Sequence, residues 1–173
     1  MLYLVRGMPG SGKSTFARNC FPGIFHIEND MLHMKTSTEP SLYPINNVYD
    51  FKDDLRIERA AHCKRLVDEL LSLDVPVVVS NVFSPIKSLN SYIDLAKYHQ
   101  VPFKVFRMIN DLGNQHDVPG YVLKWMKENF EDYPGEYLVK LNSEDLSYWI
   151  SAGDTNENFH AVMVNGKYMW SLN

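Results

Sequence analysis

The sequence has little of what builds a secreted, membrane-spanning or nucleic-acid-coating protein. Only two cysteines, Cys20 and Cys63, occur in 173 residues. They are too few for a disulfide framework, and no histidine–cysteine set has zinc spacing. Both fall in segments read as helix, where a small buried hydrophobe is the expected role. No apolar run approaches the roughly 20 residues that a membrane span needs. The first such run, residues 2–5, is broken by Arg6, so no leader peptide is expected. Positive charge is not in excess either, with 17 Lys and Arg against 21 Asp and Glu and a net charge of -4. That argues against non-specific coating of nucleic acid, which rests on neutralising many phosphates. A local basic groove for a nucleic-acid end stays compatible with it. With 45% hydrophobic and 22% charged residues, the expectation is a single soluble, cytoplasmic domain spanning residues 1–173.

What is present alternates in character along the chain. Short apolar or β-branched runs at 2–5, 24–27, 75–79 and 103–108 read as strands. Between them lie helical patterns at 13–20, 53–73 and 85–99, with a further one at 121–130. In the second, Leu55, Ala60, Cys63, Leu66, Val67, Leu70 and Leu71 recur at three- and four-residue spacing. Strands alternating with helices predict right-handed crossovers and a parallel sheet covered by helices on both faces. The end of the chain differs. Residues 159–164 and 167–172 flank Asn165-Gly166, a pair suited to a type I′ turn, so a β-hairpin is expected there.

Glycine, sparse overall, concentrates where the first strand gives way to the first helix. Gly7, Gly12, Lys13 and Ser14 meet the spacing Gly-x-x-x-x-Gly-Lys-Ser. Glycines let successive backbone N–H groups turn inward on a phosphate, and the following helix adds its free donors and positive dipole end. The segment Gly7, Met8, Pro9, Gly10, Ser11, Gly12, Lys13, Ser14 and Thr15 is therefore the expected cradle for a nucleoside triphosphate. In it Lys13 meets the β- and γ-phosphates, Ser14 serves as magnesium ligand and Thr15 lies near the α-phosphate. Transfer of a phosphoryl group to an alcohol also needs a carboxylate that takes the hydroxyl proton. Asp30, just past the second strand, is the leading candidate. Glu28 is its rival and shares a face with His26 and Asp30 by alternation.

These residues carry a resemblance. The loop with Pro9 and Arg18, then Phe25-His26-Ile27-Glu28-Asn29-Asp30, is similar to P-loop kinases grouped around the phage polynucleotide 5′-hydroxyl kinase, the zeta toxins and the kinase-like domains of Nedd4-binding proteins. Tyr49-Asp50-Phe51, Ala61-His62, residues 77–84 and 92–96, His116-Asp117-Val118-Pro119 and Met126 extend the likeness over about residues 1–132, leaving 133–173 as an extension. The resemblance implies a P-loop NTPase fold, ATP and Mg2+ as cofactors, and Asp30 as the group that activates the acceptor hydroxyl. It also implies a nucleic-acid 5′ end as leading acceptor. A nucleoside or other small alcohol is the alternative, and a non-catalytic ATP-binding regulatory module is the third.

Three departures stand out. His33 occupies a position where the polynucleotide kinase has arginine. Residues 108–123, the expected lid, contain neither Lys nor Arg; Arg107 and Lys124 flank them, and Arg107 is the candidate clamp on the transferring group. Ser80-Asn81 stands where relatives commonly carry an acid after the third strand. Elsewhere, His116 reads as a lid group or a turn former, and His62 as structural. Lys52, Arg56, Arg59, Lys64 and Arg65 read as an acidic-ligand groove or a solvated helix face. Tyr121, Trp125, Tyr133, Tyr137, Tyr148 and Trp149 could stack bases but read more simply as core.

Overall fold

A computed structural model describes residues 1–29, 56–113, 118–140, 162–164 and 167–169. Eleven elements follow in chain order: β1 (Leu2–Gly7), α1 (Lys13–Cys20), β2 (Phe25–Ile27), α2 (Arg56–Ser72), β3 (Val77–Ser80), α3 (Ile86–Tyr98), β4 (Phe103–Met108), α4 (Gly120–Glu128), β5 (Tyr137–Lys140), β6 (Val162–Val164) and β7 (Lys167–Met169). The strands form one sheet in the order β2-β3-β1-β4-β5-β6-β7. The first five are parallel, and β6 and β7 close the edge as antiparallel neighbours. This is the expected α/β fold of P-loop NTPase type, including the hairpin strands; its turn residues, 165 and 166, lie outside the described residues.

Alternation along the central strands sorts the core into two layers. Leu2, Leu4, Val77, Val79 and Val105 face α2 and α3, where Cys63, Val67, Leu71, Leu89, Tyr92, Ile93 and Ala96 are buried. The α3 contribution repeats at three- and four-residue spacing, which puts one stripe of the helix against the sheet. Each such Leu or Ile contributes about 1.5–3 kcal/mol when fully buried. Val5, Val78, Phe106, Met108 and Val139 face the other way, against Phe16, Ala17 and Phe21 of α1 and its exit. Phe16 and Phe21 both meet the Phe106 ring, at 5.5 and 5.7 Å between centroids, and this aromatic cluster anchors α1.

The tail contains an element that was not expected. β5 pairs in parallel with β4, with Arg107 beside Leu138 and Met108 beside Val139. Of its four residues only Val139 is buried, so its pattern in sequence is too short and too exposed to announce a strand.

Arg6 is the largest fully buried side chain among the described residues. It sits on the α2/α3 side of β1 and knits three segments together. Its guanidinium donates to Glu136 Oε2 at 3.0 Å, to the Phe83 carbonyl at 2.7 Å and to the Glu131 carbonyl at 2.8 Å. It also lies 4.3 Å from the centre of the Phe130 ring. Burial pulls its pKa below the ordinary value, opposed by the nearby Glu136 carboxylate. Arg6→Met should therefore cost about 3 kcal/mol in urea unfolding, because it strands a buried carboxylate and two carbonyls. Arg107, which also bonds Glu136 at 3.2 Å, keeps the loss from being larger. An unchanged midpoint would show that this knot does not hold the fold.

Candidate functional site

The site lies at the carboxyl ends of the parallel strands, where open sheets of this type bind ligands. β1 runs into the loop at Gly7, and α1 begins at Lys13. Gly12 holds the left-handed conformation at φ 84 immediately before the helix, and no side chain caps the helix start. The first-turn N–H groups are thus left to an external acceptor, and the helix dipole favours an anion there. Lys13 Nζ donates to the Met8 carbonyl at 2.9 Å, so its ammonium lies back across the loop that would enclose a phosphate. Gly10, at φ +74, has the Gly113 carbonyl pressed against the position a Cβ would take. The Leu112 N–H donates to the Gly10 carbonyl at 2.9 Å. The start of the expected lid therefore rests on the phosphate loop itself.

Parallel pairing sets His26 beside Val78 and Ile27 beside Val79. One step further along the same register, Glu28 comes beside Ser80. All three polar groups, His26, Glu28 and Ser80, are on the α1 side of the sheet. The Ser14 hydroxyl donates to Glu28 Oε2 at 2.6 Å, and the Ser80 hydroxyl donates to the same oxygen at 3.0 Å. His26 Nε2 is 2.6 Å from Ser80 Oγ. With the Ser80 proton committed to Glu28, the imidazole proton belongs on Nε2, donating to Ser80. Asn81 plays a different part: its Oδ1 accepts the Asn29 N–H at 2.9 Å and ties the β2 end to the β3 end.

The oxygen donors here suit magnesium, which binds through few protein ligands and keeps several waters alongside substrate phosphates. Among the described residues no cluster of three His, Cys, Asp or Glu could cage a metal. A magnesium ion at this place would draw on the Ser14 hydroxyl together with water and the phosphates themselves.

The other expected site residues are placed as follows. Asp30, like His33, Asn114, Gln115, His116, Lys52, Tyr148 and Trp149, lies outside the described residues. β2, which leads to Asp30, points its carboxyl end at the same rim as the loop. Arg107 was expected as a clamp, and its placement does not favour that role. It sits on the sheet face away from α1, paired with Asp132 and Glu136 and stacked over Phe130. Lys124 pairs with Glu128 along α4 at 3.9 Å on the surface. His62 contacts Arg65 on the exposed side of α2, while Cys63 is buried, as expected. Tyr133 packs against the core and Tyr137 stacks on Phe106. Tyr121 and Trp125, one turn apart on α4, depart from the core expectation, being 78% and 50% exposed.

A strand, a glycine loop closing on lysine and serine, and polar groups at the ends of parallel neighbour strands are the arrangement of a P-loop NTPase-like fold. The chain belongs to the family described as AAA domain, which it matches over residues 2–132. An uncharacterized protein of Pasteurella multocida is 29% identical over 149 residues, covering 81% of this chain and 82% of the relative. Among solved structures, a sugar kinase from Janibacter superposes with TM-score 0.52 at 16% identity, covering 88% of this chain and 95% of that one. A gluconokinase from Sinorhizobium meliloti gives 0.51 at 20%, covering 87% of each chain. Kti12 of Chaetomium thermophilum in complex with ADP-AlF3 gives 0.51 at 13%, covering 89% and 95%. At such identities these structures speak for the fold.

Proposed function

We propose that this protein binds ATP with magnesium in the 7–15 loop and transfers the γ-phosphoryl group to a hydroxyl. The observation that carries the reading is the meeting, at one strand-end rim, of uncapped α1 donors, Lys13 and the Ser14–Glu28 pair. The loop N–H groups and Lys13 gather charge on the β- and γ-phosphates, which lowers the cost of charge shifting toward the leaving ADP. Magnesium bound at Ser14 would supply further charge neutralisation at the same phosphates. Asp30 accepts the acceptor's hydroxyl proton as its oxygen forms a bond to the γ-phosphorus. The bond from that phosphorus to the bridging oxygen breaks, and ADP leaves with the electron pair.

The leading acceptor is a nucleic-acid 5′-hydroxyl end. The sequence resemblance and the exposed Tyr121–Trp125 pair on α4, suited to base stacking, support it. A small alcohol is the second reading, supported by the sugar kinase and gluconokinase among the similar structures and by a lid segment without Lys or Arg. Incubation with γ-labelled ATP and a panel of 5′-hydroxyl oligonucleotides, nucleosides and sugars separates them. Label on oligonucleotides supports the first and label on sugars or nucleosides the second. ATP binding with no labelled acceptor leaves a regulatory nucleotide-binding module.

A further inference from the structure

β3 ends in Ser80 with Asn81 following, without a carboxylate, while the neighbouring strand brings Glu28 to the same rim. We infer that Glu28, reaching in from β2, is the carboxylate that organises the water shell of the nucleotide's divalent cation beside Ser14. The inference rests on the nucleotide and magnesium part of the function proposed above, and not on the identity of the acceptor.

Four observations support this assignment. Ser80 and Asn81 carry no charge; Ser80 is engaged by Glu28 and His26, and the Asn81 Oδ1 by the Asn29 backbone N–H. The β2–β3 register brings residue 28 alongside residue 80, so a carboxylate on the neighbouring strand arrives at the place vacant of charge on β3. Its contacts converge on one oxygen, with Ser14 at 2.6 Å, Ser80 at 3.0 Å and His26 Nε2 at 3.6 Å from Oε2. Oε1 has no such partner among the described residues, and it is the atom left for a cation-bound water. Finally, the side chain is only 13% exposed, and no Lys or Arg among the described residues pairs with it.

A carboxylate this deep normally carries a cationic partner or a metal, because burial of an unneutralised charge is costly. Two hydroxyls and an imidazole orient the group, no cation among the described residues neutralises it, and a divalent cation would complete the set. The Ser14 proton goes to Glu28, so the lone pairs of the Ser14 oxygen are directed away from it and remain for the metal. Glu28 is thus a positioning residue acting through Ser14 and water. The acceptor's proton is left to Asp30.

The test is the magnesium dependence of nucleotide affinity, measured by titrating a non-hydrolysable ATP analogue at magnesium concentrations from zero, with chelator, upward. In Glu28→Gln the magnesium needed for half the affinity gain should rise about tenfold, as for other groups that orient metal ligands. Affinity without magnesium should hold or tighten, because a negative charge near the phosphates is gone. Ser80→Ala keeps the carboxylate but loosens it, and should shift the same curve about threefold in the same direction. This second variant decides the matter if the first does not fold. Magnesium curves unchanged from wild type in both variants overturn the inference, as does a Glu28→Gln protein that loses transfer with an unchanged curve, which would make Glu28 the base. Magnesium-coupled binding without transfer to any acceptor would defeat the proposed kinase activity while leaving this role for Glu28 standing.

Discussion

Asp30→Asn should leave ATP affinity within about twofold of wild type while slowing phosphoryl transfer by about 1,000-fold, the middle of the range for general-base removal. The exchange is nearly isosteric, so the rim keeps its shape. What is lost is the basicity that takes the hydroxyl proton as the new oxygen–phosphorus bond forms. Single-turnover transfer beside calorimetric ATP titration measures both halves of this expectation. A variant that transfers at the wild-type rate would remove Asp30 from the mechanism. A variant with lost ATP affinity would assign it to nucleotide binding.

The second large effect is expected at the loop. Lys13→Ala should weaken ATP binding by about 100-fold, because a charge-assisted contact to an anionic group contributes about 1.5–3 kcal/mol. The fold should survive the exchange, since α1 is anchored in the core by Phe16 and Ala17 and not by its first-turn lysine. Thermal melting checks that point, and titration with ATP checks the affinity. Undiminished affinity would mean that the triphosphate binds elsewhere.

Much of this architecture is local and therefore legible in sequence. The strand at 103–108, the helix at 13–20 and the loop between β1 and α1 have the bounds that their periodicity and glycine spacing imply. β5 was not legible, because Tyr137, Leu138 and Lys140 are exposed and only the Val139 contact with the core makes the segment a strand. Arg6 reads in sequence as the residue that ends an apolar run. Only long-range folding, 77 to 130 residues away along the chain, supplies the carbonyls and the carboxylate that let it be buried. Glu28 was visible as a carboxylate near Asp30, yet its contact with Ser14 and Ser80 depends on the β2–β3 register, which no local pattern specifies. Arg107 shows the converse: its place beside the lid suggested a clamp, but alternation turns it to the opposite face, toward Asp132 and Glu136.

The phosphoryl group carried by this loop is expected to pass from ATP to a hydroxyl. Parallel reactions with γ-labelled and α-labelled ATP test it most directly, with magnesium present or chelated and hydroxyl acceptors supplied. The predicted result is γ-label on an acceptor hydroxyl, one ADP released per label transferred, no α-label moved, and no reaction without magnesium. Label found only as inorganic phosphate, or on no product while ATP remains bound, would contradict it.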